Sequence, residues 1–237
     1  MKKRKFKNSY DTFFIIASFI LFSILILLLT WFKDSLFSAK DQISLEIVAQ
    51  EKASQGLVDK TLEPVKSDID LFLGSEEAEV KIFYWSDFAC SFCQDQESIL
   101  KNIYDKFRDR VLIVKKDYPD YFDLEGFSFQ AARAAACARQ QSNSWDYNHD
   151  LYGQEDSFKK LGQLFFLDLA QKFQLNIEEF KSCLNSSEVD QGIFENIEEA
   201  ENLGIMSIPY IQVNDLDFIG QLDQEELETL VEMELEN

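Results

Sequence analysis

The stretch from Val80 to Lys116 constrains the fold more than any other part of the chain. "VKIFYW" at 80–85 is β-branched and aromatic and predicts a buried strand, and "VLIVKK" at 111–116 predicts a second one. Between them, from Cys90 to Arg110, apolar residues recur at helical spacing: Ile99, Leu100, Ile103, Tyr104 and Phe107. A strand, a helix and a strand in this order form a βαβ unit, which predicts that the two strands pair in parallel.

The rest of the globular part divides into a helical segment and a closing hairpin with a helix. After a turn at 117–120, the composition is helical over about 124–203 and ends at Gly204, a residue typical of helix C-caps. Residues 210–213 and 217–219 are predicted as two strands joined by a turn at Asn214-Asp215. A final helix is predicted to begin at Asp223, which can cap it together with Glu226 three positions on.

A long apolar run near the start predicts a membrane anchor. Residues 13–32 contain no charge, and a helix of that length spans about 30 Å, the thickness of the bilayer core. Five basic residues precede the run, which predicts a cytoplasmic N-terminus. The sequence therefore predicts a basic tail at 1–12, an anchor at 13–32, a stalk at 33–68 and an extracytoplasmic domain at 69–237.

A cleaved signal peptide is the alternative interpretation of the apolar run. Such peptides have apolar cores of roughly 7–15 residues and small residues at the first and third positions before the cleavage site. This run is longer, and the best local site has bulky Phe37 two positions before Ala39. These two features favour an uncleaved anchor.

Net charge excludes one class of partner. The chain carries a formal charge of −20. Binding to nucleic-acid phosphates requires a concentrated positive surface, so we expect no nucleic-acid partner. The acidic composition is typical of a soluble exterior.

Two cysteines, Cys90 and Cys93, stand three positions apart just after the first predicted strand. At the start of a helix, unpaired amides and the positive end of the helix dipole favour a thiolate, and Cys93 lies one turn deeper, close enough to bond. The pattern therefore indicates a redox pair. A zinc site would need a second close pair or several histidines. The chain has only His149, for which we predict a surface or packing role, so neither metal nor cofactor is expected. A purely structural bond across so short a loop would add little stability.

Five segments in order resemble the landmarks of DsbA-like thiol–disulfide oxidoreductases. They cover about Asp70 to the C-terminus: "VKIFYWSDFACSFC", "DYP", "AARAAACARQQSNSWDYNHDLY", "FKSCLNSSE" and "GIMSIPYIQVND". The resemblance implies an α/β thioredoxin-like fold with an inserted helical domain. That order agrees with the elements predicted above.

The resemblance also implies roles for particular residues. Pro209 is expected to follow a cis peptide bond beside the active cysteines, and Ile208 to offer backbone groups to an extended substrate. Cys137 and Cys183 are expected to form a structural disulfide within the insertion, with two free core cysteines as the alternative. Phe88 and Phe92 flank the cysteines, and we predict that they form an apolar rim for unfolded clients.

The expected function is oxidation of cysteine pairs in exported proteins by a membrane-anchored enzyme. Cys90 would form the mixed disulfide and Cys93 would resolve it, with a quinone-linked membrane oxidoreductase, implied by the resemblance, as electron acceptor. The dipeptide Ser91-Phe92 lacks the proline and the histidine common in strongly oxidising relatives. The direction of electron flow thus stays open, and a reductase or isomerase, or a non-catalytic client-binding module, is the alternative.

Overall fold

The structure is a computed structural model that describes residues 63–141 and 145–236. The predicted tail at 1–12, the anchor at 13–32 and most of the stalk at 33–68 lie outside these residues. Across the described part of the chain, no helix is both long enough and apolar enough to cross a membrane.

A five-stranded mixed sheet forms the centre of the domain. Its strands are β1 (Leu71–Leu73), β2 (Val80–Ser86), β3 (Val111–Asp117), β4 (Tyr210–Val213) and β5 (Leu216–Ile219), in the spatial order β1-β3-β2-β4-β5. β2 and β3 pair in parallel, as the βαβ pattern predicts, and all other neighbours are antiparallel. The short edge strand β1 was not predicted.

Eight α-helices accompany the sheet in the described residues. They are α1 (Ser91–Phe107), α2 (Phe127–Gln141), α3 (Trp145–His149), α4 (Glu155–Leu161), α5 (Leu164–Lys172), α6 (Ile177–Leu184), α7 (Ser187–Asn202) and α8 (Gln224–Glu234). A short 3₁₀ turn, Arg108–Arg110, follows α1, so this helix ends three residues earlier than predicted. α2 to α7 all fall between β3 and β4, where the sequence predicts the helical insertion.

Alternate residues of β2 and β3 enter two separate cores, because successive side chains of a strand point to opposite faces. Ile82 and Tyr84 join the larger core with α1 and α8, whereas Phe83 and Trp85 join a smaller core closed by the end of α7. Both faces of the central strands are therefore buried. This burial explains why β2 and β3 have continuous apolar runs rather than an alternating pattern.

Two adjacent lysines of β3 are buried on opposite faces of the sheet. Lys115 contacts Asp117 in the larger core, and both side chains are almost completely inaccessible. Lys116 lies on the other face, 3.0 Å from Asp70 and 2.7 Å from Glu199. Burying a charge is costly unless it is paired, and both ammonium groups have a carboxylate partner.

Buried polar contacts also fasten the chain just before β1. The Arg139 guanidinium, at the end of α2, donates to the Ile69 carbonyl oxygen and forms an ion pair with Asp117. Asn196 of α7 donates to Asp70 at 2.8 Å. The segment that leads into β1 is thereby held to β3 and to two helices of the insertion.

Candidate active site

The two cysteines of the predicted redox pair lie at the start of α1, immediately after β2. Cys90 is the N-cap residue of this helix, and its Sγ accepts a hydrogen bond from the Cys93 amide at 3.2 Å. A side-chain acceptor at the N-cap satisfies one of the amides that the first helical turn leaves unpaired. The cysteines form a disulfide with a Cα–Cα distance of 5.2 Å.

The two bonded sulfurs differ in accessibility. Cys90 is partly exposed, whereas Cys93 is fully buried in the larger core. The first turn of α1 contains no acidic residue, so the positive end of the helix dipole faces Cys90 without a competing charge on that turn. The arrangement favours a Cys90 thiolate and makes Cys90 the sulfur that another protein can reach.

The loop before β4 lies at the same edge of the sheet. Trp85 of β2 pairs with Tyr210 of β4, so Pro209 comes level with the end of β2, where the chain turns toward Cys90. The Ile208–Pro209 peptide bond is cis, as the resemblance implies. Pro209 is buried and Ile208 is half-buried, so the predicted peptide platform and the cysteines occupy one edge.

Glu97 is a buried acid one helical turn beyond Cys93. Residues four apart lie on the same face of a helix, and both side chains have no exposed surface. Among the described residues, neither Glu97 carboxylate oxygen makes a hydrogen bond of sound geometry. Burial raises the pKa of Glu97 to about 7, against smaller opposing effects of the Lys115 ammonium and the Tyr152 hydroxyl.

A second buried acid, Asp117, behaves in the opposite way. Burial alone would raise the pKa of Asp117, but attraction to Arg139 and Lys115 outweighs it, and the pKa lies below its ordinary value. The pKa values of these two buried acids are thus shifted in opposite directions. With a pKa of about 7, Glu97 changes its charge near neutral pH.

Comparison with known proteins places this site in a family. A family model described as thioredoxin matches residues 66–233, well over half of the chain. The chain belongs to the thioredoxin family.

Curated relatives of this thioredoxin-family chain are distant. It is 27% identical to Na(+)/H(+) antiporter NhaA 1 of Mycolicibacterium vanbaalenii over 169 residues, which cover 69% of this chain and 26% of the antiporter. It is 22% identical to the probable disulfide bond formation protein D of Bacillus anthracis over 149 residues, which cover 60% of this chain and 68% of that protein. The chain thus spans about a quarter of the length of the antiporters that it matches.

Solved structures share the fold of this family member. Oxidised BdbD from Bacillus subtilis has a TM-score of 0.61 at 20% identity, covering 71% of this chain and 94% of that chain. Wolbachia pipientis alpha-DsbA1 has a TM-score of 0.61 at 19% identity, covering 73% and 94%. The family model and these structures confirm the predicted thioredoxin-like fold, and the two cysteines of the predicted redox pair form a disulfide.

The predicted apolar rim is wrong at Phe88. This ring is 2% exposed, because it turns inward and packs 5.0 Å from the Tyr152 ring, with the Lys115 ammonium 4.1 Å from its centroid. Phe92 is 63% exposed, in agreement with the predicted rim. Met206, two residues before Ile208, is 92% exposed and adds an apolar side chain that the sequence analysis did not select.

The second cysteine pair lies away from this edge. Cys137, in the middle of α2, and Cys183, near the end of α6, form a disulfide with a Cα–Cα distance of 5.6 Å. Cys137 is fully buried and is surrounded in sequence by buried alanines. The bond joins two helices of the insertion.

In the part of the chain that the structure describes, the cysteines are not part of a group that could hold a metal ion. Within residues 63–141 and 145–236, no group of three or more His, Cys, Asp or Glu side chains could hold a metal ion. His149 is exposed at the end of α3.

Proposed function

We propose that this chain oxidises cysteine pairs in exported proteins by giving up its Cys90–Cys93 disulfide. The observation that carries the proposal is the difference in accessibility between two bonded sulfurs: Cys90 is partly exposed at a helix N-cap and Cys93 is buried. Only one of the two sulfurs is open to attack by a client thiolate. Disulfide exchange of this kind proceeds through a mixed disulfide.

The exchange transfers two electrons from the client to the enzyme. A client thiolate attacks the Cys90 sulfur, forming a client–Cys90 bond as the Cys90–Cys93 bond breaks. The second client thiolate then attacks the client sulfur of that mixed disulfide and releases Cys90. The client leaves with a disulfide, and Cys90 and Cys93 are left reduced.

Glu97 can supply a proton to the Cys93 sulfur when the disulfide bond breaks. Cys93 leaves as a thiolate inside the core, and a buried anion without a partner is costly. Glu97 lies one helical turn away, and its pKa of about 7 means that protonated and ionised forms are both populated near neutral pH. The protonated acid can therefore give a proton to Cys93, and the carboxylate can take it back on reoxidation.

The geometry around Cys90 supports the oxidising direction. The Cys93 amide already points at the Cys90 sulfur, and the first turn of α1 carries no acidic residue. Both features stabilise a Cys90 thiolate, and stabilising the reduced form makes the corresponding disulfide a stronger oxidant.

Client binding uses the loop before Pro209 and the exposed apolar side chains around it. Ile208 offers main-chain groups to an extended segment of the client, and Phe92 and Met206 supply apolar surface. Unfolded clients expose apolar residues, so such a surface selects them over folded proteins.

Turnover requires an electron acceptor, for which we propose a quinone-linked membrane oxidoreductase. The apolar segment 13–32 would anchor the chain with its domain outside the cytoplasm, where oxidised cysteines persist. Attachment of both proteins to one membrane would raise their effective concentration.

The reduction potential of the Cys90–Cys93 pair tests this function. The full-length chain in detergent is equilibrated with glutathione buffers, with Cys137 and Cys183 intact. We expect a value near −120 mV, typical of a strong oxidant. A value near −270 mV would reverse the proposed direction and indicate a reductase. Failure to exchange with glutathione would leave a client-binding module as the better interpretation.

A further inference from the structure

Asp87 organises the turn that presents Cys90. Its main-chain carbonyl accepts a hydrogen bond from the Cys90 amide at 3.1 Å, and its side-chain Oδ1 accepts one from the Ala89 amide at 2.9 Å. A turn closed in this way brings the Cα atoms of its first and fourth residues within about 7 Å. Asp87 and Cys90 are therefore the first and fourth residues of one tight turn, and the Asp87 carboxylate is fixed within that turn.

The other oxygen of this carboxylate is held by the helical insertion. Ser128, in the first turn of α2, donates to Asp87 Oδ2 at 2.8 Å, and the same hydroxyl accepts from the Asp120 amide at 2.8 Å. Ser128 is only 8% exposed. One buried hydroxyl thus connects the active-site turn, the insertion and the loop that follows β3.

The surroundings of Asp87 shift its pKa and determine how strongly its charge acts on Cys90. Burial raises the pKa of Asp87, whereas the bonds from Ala89 and Ser128 and the attraction of the Lys115 ammonium lower it, and the Asp117 carboxylate raises it. A partly buried anion is screened less by salt than a surface one. A like charge nearby disfavours a thiolate, and so disfavours the reduced state of the pair.

We propose that Asp87 is a positioning residue that sets the reduction potential of the Cys90–Cys93 pair. Its hydrogen bonds hold the turn that makes Cys90 a helix N-cap, and its charge opposes the Cys90 thiolate and keeps the pair less oxidising than the helix start alone would make it. Ser128 of the insertion keeps the carboxylate in place. This inference rests on the proposed exchange function and adds its regulation by a neighbouring charge.

Asp87→Asn tests the charge with little change in shape. The amide oxygen can still accept from Ala89, and the amide nitrogen can donate to the Ser128 oxygen. In full-length protein equilibrated with glutathione, we expect the equilibrium between disulfide and dithiol to shift about tenfold toward the dithiol, a rise of about 30 mV in potential. The pKa of the Cys90 thiol, followed by thiolate absorbance, falls in the same variant.

Two further variants separate charge from structure. Asp87→Ser also removes the charge and keeps an oxygen that can bond to Ala89, so we expect a shift in the same direction. Asp95→Asn is the matched control, because Asp95 is an exposed acid on α1 whose charge water screens. For Asp95→Asn, the equilibrium should stay within about twofold of the native value.

Ser128→Ala tests the link to the insertion. The Ser128 hydroxyl lowers the pKa of Asp87, so its loss raises that pKa. The inflection that Asp87 produces in the profile of potential against pH should therefore move to higher pH, and it should be missing in Asp87→Asn.

The outcomes distinguish this inference from the proposed function. If Asp87→Asn unfolds more easily but leaves the glutathione equilibrium and the Cys90 pKa unchanged, Asp87 is merely structural and the inference is overturned. If Asp87→Asn fails to fold, Asp87→Ser and the pH profile of Ser128→Ala decide in the same way. A native chain that does not exchange with glutathione overturns the function itself.

Discussion

The two disulfides of this chain differ in the length of the loop they close and in the surroundings of their sulfurs. Cys90 and Cys93 are three residues apart at the start of one helix, and one of the two sulfurs is partly exposed. Cys137 and Cys183 are 46 residues apart and join two helices of the insertion; Cys137 is fully buried and Cys183, like Cys90, is partly exposed. Each disulfide thus pairs one buried and one partly exposed cysteine, and the first differs in that its exposed cysteine is the N-cap of a helix.

The position of a disulfide in the fold therefore determines whether it mainly stabilises the chain or takes part in exchange. A crosslink restricts the unfolded chain more as its loop grows, so the longer loop has most of the stabilising effect. Exchange instead requires an accessible sulfur and a stabilised thiolate, which a helix N-terminus provides. Variants of the two pairs and of their neighbours should separate the effect on exchange from the effect on stability.

The largest expected effect comes from Cys90→Ser. Exchange with glutathione and with a reduced, unfolded client should fall to the uncatalysed background, because the accessible sulfur is gone. The free energy of unfolding should fall by about 2 kcal/mol, less than for a long loop, since the loop lost is short. Stopped-flow exchange kinetics and urea unfolding of the same preparation provide the two readings. Residual exchange comparable to the native rate would show that Cys93 or the second pair is reactive.

Removal of the second disulfide should lower the stability of the fold and leave the redox equilibrium of the first pair almost unchanged. For Cys137→Ser with Cys183→Ser, we expect the free energy of unfolding to fall by about 4 kcal/mol, from the entropy of the longer loop. The glutathione equilibrium of the remaining pair should stay within about twofold, as for a distant, independent site. Urea unfolding and a redox titration measure these quantities. A tenfold shift in the equilibrium would mean that the two disulfides are coupled.

Glu97→Gln should reveal the buried acid beneath the reactive disulfide. The ordinary pKa is 4.5 and the folded value is about 7, so the folded state binds the extra proton and its stability declines as pH rises through this interval. The neutral variant lacks this decline. From pH 4.5 to pH 8 we expect the stability of the variant relative to the native chain to rise by about 3 kcal/mol.

Urea unfolding from pH 4.5 to 8 measures this difference for Glu97→Gln. Glu125→Gln, at an exposed position before α2, is the matched control and should keep the native pH dependence. Parallel curves for the native chain and Glu97→Gln would contradict a raised pKa at this residue.

Much of the fold could be predicted because strong periodic patterns decide it. The strand at 210–213 has the predicted bounds, and Asp223 with Glu226 forms the predicted capping box. β1 was missed because three residues, "LFL", are too few for a period to emerge. This strand exists through its pairing with β3, which local sequence does not reveal.

The reactive cysteines of the site could be predicted from the sequence, but the side chains that depend on burial in the folded structure mostly could not. Cys90 and Cys93 stand out by spacing, whereas Phe88 lies in a turn, where alternation no longer tells inside from outside. Glu97 carried a usable signal, because an acid four positions after Cys93 and three before Leu100 falls on the apolar face of α1. Lys115 carried none, since its burial depends on helices that arrive much later in the chain.

The smallest predicted effect concerns clients rather than the disulfides themselves. Phe92→Ser and Met206→Ser each remove an exposed apolar side chain, one between the two active cysteines and one in the loop before Pro209. We expect KM for a reduced, unfolded client to rise roughly fivefold, for about 1 kcal/mol of lost apolar contact. Exchange with glutathione, which is too small to cover these side chains, should not change.

Val65→Ser is the control for these two variants. Val65 is 67% exposed and lines a cavity with Lys81 and Asn214, near the beginning of β2 and far along the sheet from Cys90. This variant should leave KM unchanged. An equal rise in KM would attribute client binding to general surface apolarity rather than to the edge that holds Cys90.

The anchoring of the chain before β1 has a mechanical consequence. Arg139 donates a hydrogen bond to the Ile69 carbonyl, Lys116 forms an ion pair with Asp70, and β1 pairs with β3. Tension applied to the chain ahead of Ile69 is therefore borne first by β3 and by helices of the insertion. The contacts named here do not include the turn that carries Cys90, so tension that enters through residue 69 reaches this turn only by way of β3 and its neighbours.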